Sequence, residues 1–289
     1  MVYTRKLSMS KGGNKMFTQI IHKKQDLTYL SWSLIRSSSG TAGSFLKATD
    51  DLHKPKIYYK LSNYDVINGV IGHECVNELI VDRLLNILGI EHLHYNLIHA
   101  QINVDGKEVD TYLCASEDFK NLGENKMALD AFYQAERVKF ETPLDFCIRN
   151  GWADFVYKML IVDFLILNRD RHGANIEVLR DSKTKKVRLA PIFDHGLSLL
   201  FNSHTEEAVK NFDVMQDRAV QCFVGSYSAQ QNLALIPKDK LPLLEPLRRE
   251  HKTELLAGLN GIISPCLQNK IWEMVWRRWR YYEDLCNKK

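Results

Sequence analysis

The feature that most constrains this chain is an apolar run from Trp152 to Leu167 that stops in a polar loop, Asn168-Arg169-Asp170-Arg171-His172-Gly173-Ala174-Asn175. The run carries Asp154, Lys158 and Asp163 and falls short of a membrane span, so a buried helix is the expected form. Two β-rich runs follow, Ile176 to Arg180 and Val187 to Phe193, on either side of a polar turn. Strands of similar length that fold back on each other return the chain to its start, which predicts Asp194 beside Asn175. An aspartate, a carboxamide and a second aspartate should therefore share one small volume at the end of a buried helix.

Phosphoryl transfer needs that set. One carboxylate orients the acceptor hydroxyl and takes its proton, while a carboxamide and a second carboxylate give oxygen ligands to the divalent ions that bridge the phosphates. Asp170 is the candidate base, Asn175 and Asp194 are the candidate Mg2+ ligands, and the Asp-x-x-x-x-Asn spacing is that of a kinase catalytic loop. Asp163 falls on the core-facing stripe with Trp152, Phe155, Val156 and Met159. A buried carboxylate needs partners, and the backbone N–H groups of the loop after Leu167 are the expected ones. His172 is read as a loop anchor rather than an acid–base group, and His195 is given no role.

Upstream, the turn-forming cluster Ser37 to Ser44 (SSSGTAGS) leads into Phe45-Leu46-Lys47-Ala48, a polar turn, and the strand-like run Ile57 to Leu61. This is a glycine-containing hairpin with Lys60 on the returning strand. From Val70 to Leu88 the apolar positions Val76, Leu79, Ile80, Leu84, Ile87 and Leu88 have helical spacing, with Gly89 as the stop, and Glu74, Glu78 and Asp82 lie four apart on one side. Strands over 95–102 and 108–115 are joined through Asp105-Gly106, and Glu117-Asp118-Phe119 forms an acidic connector. Residues 120–167 read as mostly helical with a break at Pro143, and the tail from Leu241 reads as helical and amphipathic.

The order along the chain is that of a nucleotide cleft: glycine-containing loop, strand lysine, helix glutamate, connector, Asp-x-x-x-x-Asn, hairpin, Asp-x-Gly. Lys60 is expected on the α- and β-phosphates, held by Glu78 in preference to Glu74, with backbone N–H groups of the loop over the phosphates. The fold class expected is α+β, a two-lobed protein-kinase-like structure. Its β-rich N-lobe spans 1–119, its mostly helical C-lobe spans 120–289, and the nucleotide sits between them.

The run LIVDFLILNRDRHGANIEVL and the later LAPIFDHGLSLLF resemble the catalytic half of HipA-like serine/threonine kinases, the toxin kinases of bacterial persistence modules. The resemblance is strongest to single-chain, CtkA-like members that lack the family's N-terminal subdomain, and it extends from about Arg36 to Asn202. It implies Asp170 as catalytic aspartate, Asn175 and Asp194 as metal ligands, and Lys60 as the nucleotide lysine. Val76-Asn77-Glu78 is similar to the start of the family's helix, and Glu117 with Phe119 to the connector that binds adenine. Ser39, Gly40, Thr41 and Gly43 fall in the phosphate loop. The implied cofactors are ATP and Mg2+, and the implied partner is a protein carrying serine or threonine. Only about 35 residues precede the loop, fewer than the subdomain that contacts antitoxin in fuller members, so an antitoxin-like regulator is a secondary expectation. The loop also departs from the fuller pattern but is rich in hydroxyls. Related kinases autophosphorylate a serine there, which makes Ser37, Ser38, Ser39 and Thr41 the candidates.

Composition sets the remaining bounds. A chain of 289 residues, 45% hydrophobic and 26% charged, buries a sizeable core without metal or disulfide staples. Its net charge of +4 is small and evenly spread, which argues against direct nucleic-acid binding. The six cysteines form no C-x-x-C pair and suggest a reducing compartment; the cytoplasm is expected, with a secreted effector role left open. His92, His94 and His99 lie in a strand region without a nearby cysteine, so no structural zinc is expected. Two alternatives stand beside the protein kinase. Phosphoinositide kinases also use Asp-Arg-His-x-x-Asn and a later Asp-x-Gly, although the residues after Gly196, LSLLFNSHTEE, lack the basic loop that anionic headgroups call for. The other is a pseudokinase binding module, disfavoured because a scaffold has no need for four convergent charged or amide groups.

Overall fold

A computed structural model describes residues 19–35 and 42–287. The first strands are β1 (Ile20–Asp26), β2 (Ser33–Ile35), β3 (Ala42–Asp50) and β4 (Ile57–Lys60). A small ladder of β5 (Tyr64–Asp65) and β6 (Gly69–Val70) leads to helix α1 (Glu74–Ile87), and β7 (Asn96–Val104) and β8 (Lys107–Glu117) follow. Six of these strands form one sheet in the order β1-β7-β8-β4-β3-β2, antiparallel except where β1 joins β7. Strand β1 has little sequence signature: in Ile-Ile-His-Lys-Lys-Gln-Asp only Ile20 is buried, as an edge strand permits. Helix α1 starts at Glu74 rather than Val70 because Val70 pairs with Tyr64, and Gly89 takes the left-handed conformation just past its end (φ 68°).

Paired residues in a ladder share a face. Lys47 lies opposite Lys60, Lys60 opposite Cys114, and Cys114 opposite Leu97, so these form one row on the side of α1. The other face carries Ala48, Tyr59, Ala100 and Ala115, which form a smaller core with Leu27 and Leu30.

The later elements are β9 (Glu124–Ala128), α2 (Leu129–Glu136), α3 (Pro143–Arg149), α4 (Ala153–Ile166), β10 (Asp170–Arg171), β11 (Glu177–Asp181) and β12 (Val187–Leu189). Then come α5 (Glu206–Lys210), β13 (Gln221–Cys222), α6 (Ala229–Ala234), α7 (His251–Leu255) and α8 (Pro265–Asn287). The helical expectation for 120–167 is corrected at β9, which pairs antiparallel with β11 and is chosen by that distant partner, not by local pattern. Pro143 does mark a break: it opens α3, whose Thr142 hydroxyl accepts the Asp145 N–H at 3.1 Å. The tail is less helical than its composition suggests, since among the described residues beyond 241 only α7 and α8 form.

The larger core runs through both halves. Leu79, Ile80 and Leu84 of α1 join Phe146, Leu160, Phe164 and Ile166, and α8 closes the cluster with Ile271, Met274 and Trp279. No helix among the described residues is long and apolar enough to cross a membrane.

Candidate active site

The row on the sheet face and the amino-terminal half of α1 meet at Lys60. Its Nζ lies 2.6 Å from Glu78 Oε1 and 2.5 Å from Asp194 Oδ1, with Lys60 only 8% exposed and Glu78 fully buried. Burial opposes the charge on Lys60, but Asp194 and Glu78 outweigh it and hold the amine well above its ordinary range. Burial likewise opposes ionisation of Glu78, and the Lys60 charge and a hydrogen bond from His195 carry it the other way, below the usual carboxylate range. Glu74 turns elsewhere and accepts the Asn63 N–H at 3.0 Å. The helix carboxylate that faces Lys60 is therefore Glu78.

Helix α1 also fixes the segment after Asp194. Glu78 Oε2 accepts the His195 N–H at 2.8 Å, and the buried Asn77 donates to the carbonyls of Gly196 and Ser198 at 3.0 and 3.1 Å. A side chain at Gly196 would come within 3.2 Å of the Glu74 Cβ, which explains the glycine of Asp-x-Gly by close approach. Asp194 adopts a left-handed backbone (φ 60°), which aspartate tolerates better than most residues.

The loop after α4 is built around a buried ion pair. Asp163 binds Arg171 through Nε (2.9 Å) and Nη2 (2.9 Å) and takes the Asn168 carboxamide at 2.9 Å. Arg171 is 1% exposed and uses Nη1 to reach the carbonyls of Asn175 (3.2 Å) and Phe193 (2.7 Å). One guanidinium thus holds the Asp-x-x-x-x-Asn loop against the residue preceding Asp194. The expectation for Asp163 is corrected in its partners. They are the Arg171 and Asn168 side chains, because a buried carboxylate is better met by a full charge than by backbone dipoles.

Asn175 donates to the Asp170 carbonyl at 2.7 Å and to its Oδ2 at 3.3 Å. His172 accepts the Ala174 N–H through Nδ1, and its Nε2 lies 3.6 Å from Asp170 Oδ1. The β11–β12 hairpin pairs Val178 with Leu189 and closes with the Ala190 N–H on Glu177 O at 2.8 Å, which returns the chain toward Asn175.

A cavity of about 570 Å³ lies over the sheet and is lined by Lys47, Lys60, Glu117, Phe119, Phe193 and Asp194, among others. The Phe119 and Phe193 rings sit 5.7 Å apart, and Lys126, paired with Asp118 at 2.8 Å, lies over the Phe119 ring at 4.1 Å. Lys60, Glu78, Asp194, Glu117 and Phe119 are brought to one cleft, with Asp170 and Asn175 tied to it through Arg171. Ser39, Gly40 and Thr41, with Ser37 and Ser38, lie outside the described residues, and Gly43 falls within β3. Sequence reasoning missed Arg171, Asn168 and Lys47; the arginine beside Asp170 was in plain view, but its burial was not.

No protein-family model matches the chain. The serine/threonine-protein kinase CtkA of Helicobacter pylori is 22% identical over 268 residues, covering 86% of this chain and 78% of that protein. The crystal structure of a Helicobacter pylori proinflammatory kinase CtkA superposes with a TM-score of 0.58 at 15% identity, covering 92% of this chain and 98% of that one. The chain is thus similar in sequence to CtkA. It shares the α+β kinase fold of the CtkA structure, the class its motif order predicts. A Shewanella oneidensis HipA solved with HipB and operator DNA superposes more loosely, with a TM-score of 0.42 at 13% identity over 88% of this chain and 58% of that one.

Proposed function

We propose that the chain is an ATP- and Mg2+-dependent protein kinase that phosphorylates serine or threonine. The observation that carries this reading is Lys60 Nζ lodged between Glu78 and Asp194 beside a nucleotide-sized cavity. In this reading Lys60 meets the α- and β-phosphates, and Glu78 keeps it charged and aimed. The acceptor hydroxyl gives its proton to Asp170 as its oxygen bonds to the γ-phosphorus and the bond from that phosphorus to the ADP oxygen breaks. Asp194 and Asn175 offer hard oxygen donors, and the Asn175 Nδ2 donates to the Asp170 carbonyl, which holds its carboxamide beside the base. That donor set suits Mg2+, which when bound would neutralise the phosphate charge.

The serine/threonine activity of the Helicobacter pylori relative supports a hydroxyl side chain as acceptor. Autophosphorylation within Ser37 to Ser44 belongs to this proposal, as does a reducing compartment, which the six free cysteines support. An antitoxin-like regulator enters only through the family resemblance.

The test is incubation with γ-labelled ATP and Mg2+ beside Asp170→Gln, followed by mass spectrometry. Label is expected in the wild type alone, with a site in Ser37 to Ser44. A variant with normal turnover removes Asp170 from the mechanism. No label in the protein or in added protein substrates, but label in phosphoinositide vesicles, would replace the protein acceptor with a lipid.

A further inference from the structure

Four residues beyond Glu78 on α1, the buried Asp82 faces the loop between α1 and β7. Its Oδ1 lies 3.1 Å from His92 Nε2 and 3.0 Å from His94 Nδ1, and it accepts the Tyr95 N–H at 3.1 Å. Its Oδ2 takes the carboxamides of Asn86 (3.2 Å) and Gln19. The three atoms Asp82 O, His92 N and His94 N all lie within 4.8 Å of one another.

The far side of His92 fixes its tautomer. Nδ1 lies 2.7 Å from the Ile90 carbonyl oxygen, which can only accept, so Nδ1 carries a hydrogen. Nε2 is then the ring nitrogen turned toward the Asp82 carboxylate, with side chains 1% and 0% exposed. A ring nitrogen and a carboxylate oxygen in contact away from water need a proton or a metal ion between them. An imidazole whose rear N–H is tied to a main-chain carbonyl is also how metal-ligating histidines are held. The two Asp82 spacings, 3.1 and 3.0 Å, are near the separation of about 3.3 Å between ligand atoms of a tetrahedral site with bonds of about 2.0 Å. His94 is 64% exposed in its side chain, so a fourth position would open to solvent.

We propose that Asp82, His92 and His94 bind a divalent transition metal ion of the zinc class. Two imidazole nitrogens and one carboxylate oxygen suit Zn2+ and not Mg2+. The expectation of no structural zinc rested on spacing between histidines and cysteines; the third ligand is instead an aspartate on a helix, which that spacing does not reveal. The ion would brace the nucleotide cleft from behind. The Leu93 N–H donates to the Ile192 carbonyl at 2.9 Å, and the Tyr95 hydroxyl accepts the Asp194 N–H at 3.3 Å, so the same loop holds the approach to Asp194. The site stands on its own geometry and is independent of the proposed phosphotransfer.

A proton on Nε2 would also relieve the contact, and the experiment separates the two. The whole chain is stripped with EDTA, desalted and titrated with Co2+, then with Zn2+. One equivalent of Co2+ with the strong visible absorption of tetrahedral coordination, displaced by Zn2+, is expected in the wild type. His94→Gln, at the exposed ligand, should keep the metal-free melting temperature and lose affinity by about tenfold or more. His92→Gln should lose it further. No tetrahedral spectrum in the wild type would assign the contact to an imidazolium and overturn the proposal. Unchanged affinity in a folded His94→Gln would overturn it as well.

Discussion

Lys60 is a buried amine between two carboxylates, and removing it strands both. Taking one partner from a buried pair costs about 3–5 kcal/mol, so Lys60→Met is expected to lose about 3 kcal/mol at pH 7 as well as ATP-dependent thermal protection. The loss has a pH signature. Glu78 is held below its ordinary value of 4.5, so it contributes stability above that pH and gives it up as pH falls through the lower folded value. Lys60 is raised above 10.5, so its own contribution stays constant across this window. In the variant, an unpaired buried Glu78 favours its protonated form, and acid relieves it. Urea unfolding from pH 7 to 4 should therefore show the gap between wild type and variant narrowing; a constant gap would mean that Glu78 is not an ionised partner. That Lys60, Glu78 and Asp194 meet, with Asn175 on Asp170 close by, was legible because the motifs and their order along the chain were in the sequence. Arg171 and Asn77 were not, because what they bind is chosen by the folded chain.

At the scale of elements, the end of α4 is held from two sides by buried arginines. Arg171 ties it to β10 and to Phe193, while Arg278 of α8 donates to the carbonyls of Phe164 (2.9 Å), Val214 (2.7 Å) and Gln216 (3.1 Å). Arg171→Lys keeps a charge but loses the planar fork that spans Asp163 and two carbonyls. The expected result is a fall in kcat of at least about tenfold with little change in the KM for ATP, since the loop moves while Lys60 and the cavity stay. A loss seen in KM alone would place Arg171 in nucleotide binding instead. Arg278 is buried with main-chain carbonyls as its hydrogen-bond partners, and burial pulls its guanidinium down to about 10. Arg278→Met should cost about 2–4 kcal/mol through three stranded carbonyls, read as a lowered melting temperature. Element types followed the sequence where periodicity was local, as in α1, α4 and β7–β8. They departed from it at β9 and β1, whose strand character comes from pairing with β11 and β7.

At the scale of the molecule, the sequence divides near residue 119, but the larger hydrophobic core does not. Leu79, Ile80, Leu84 and Leu85 are each fully buried in the cluster that also holds Leu160, Phe164 and Ile271. Arg83 of the same helix donates to the Leu255 and Ala257 carbonyls at 3.1 and 2.8 Å, and Asn77 holds the segment after Asp194. Helix α1 is therefore a shared wall, packed against the β7–β8 strands on one side and joined to the later helices on the other. Four leucine-sized side chains, at about 1.5–3 kcal/mol each when fully buried, contribute about 6–12 kcal/mol, comparable to the net stability of about 5–15 kcal/mol of a typical domain. A chain beginning at residue 120 should lack a fixed fold, losing near-ultraviolet circular dichroism and slow amide exchange, and residues 1–119 alone should expose the apolar face of α1 and self-associate. Mixing the two pieces should restore both signals together with the ATP-dependent thermal shift. If residues 120–289 instead fold cooperatively alone, α1 is a docked element and not part of a common core, and the Lys60–Asp194 pair, which joins the two pieces, would then be free to form and break as they move.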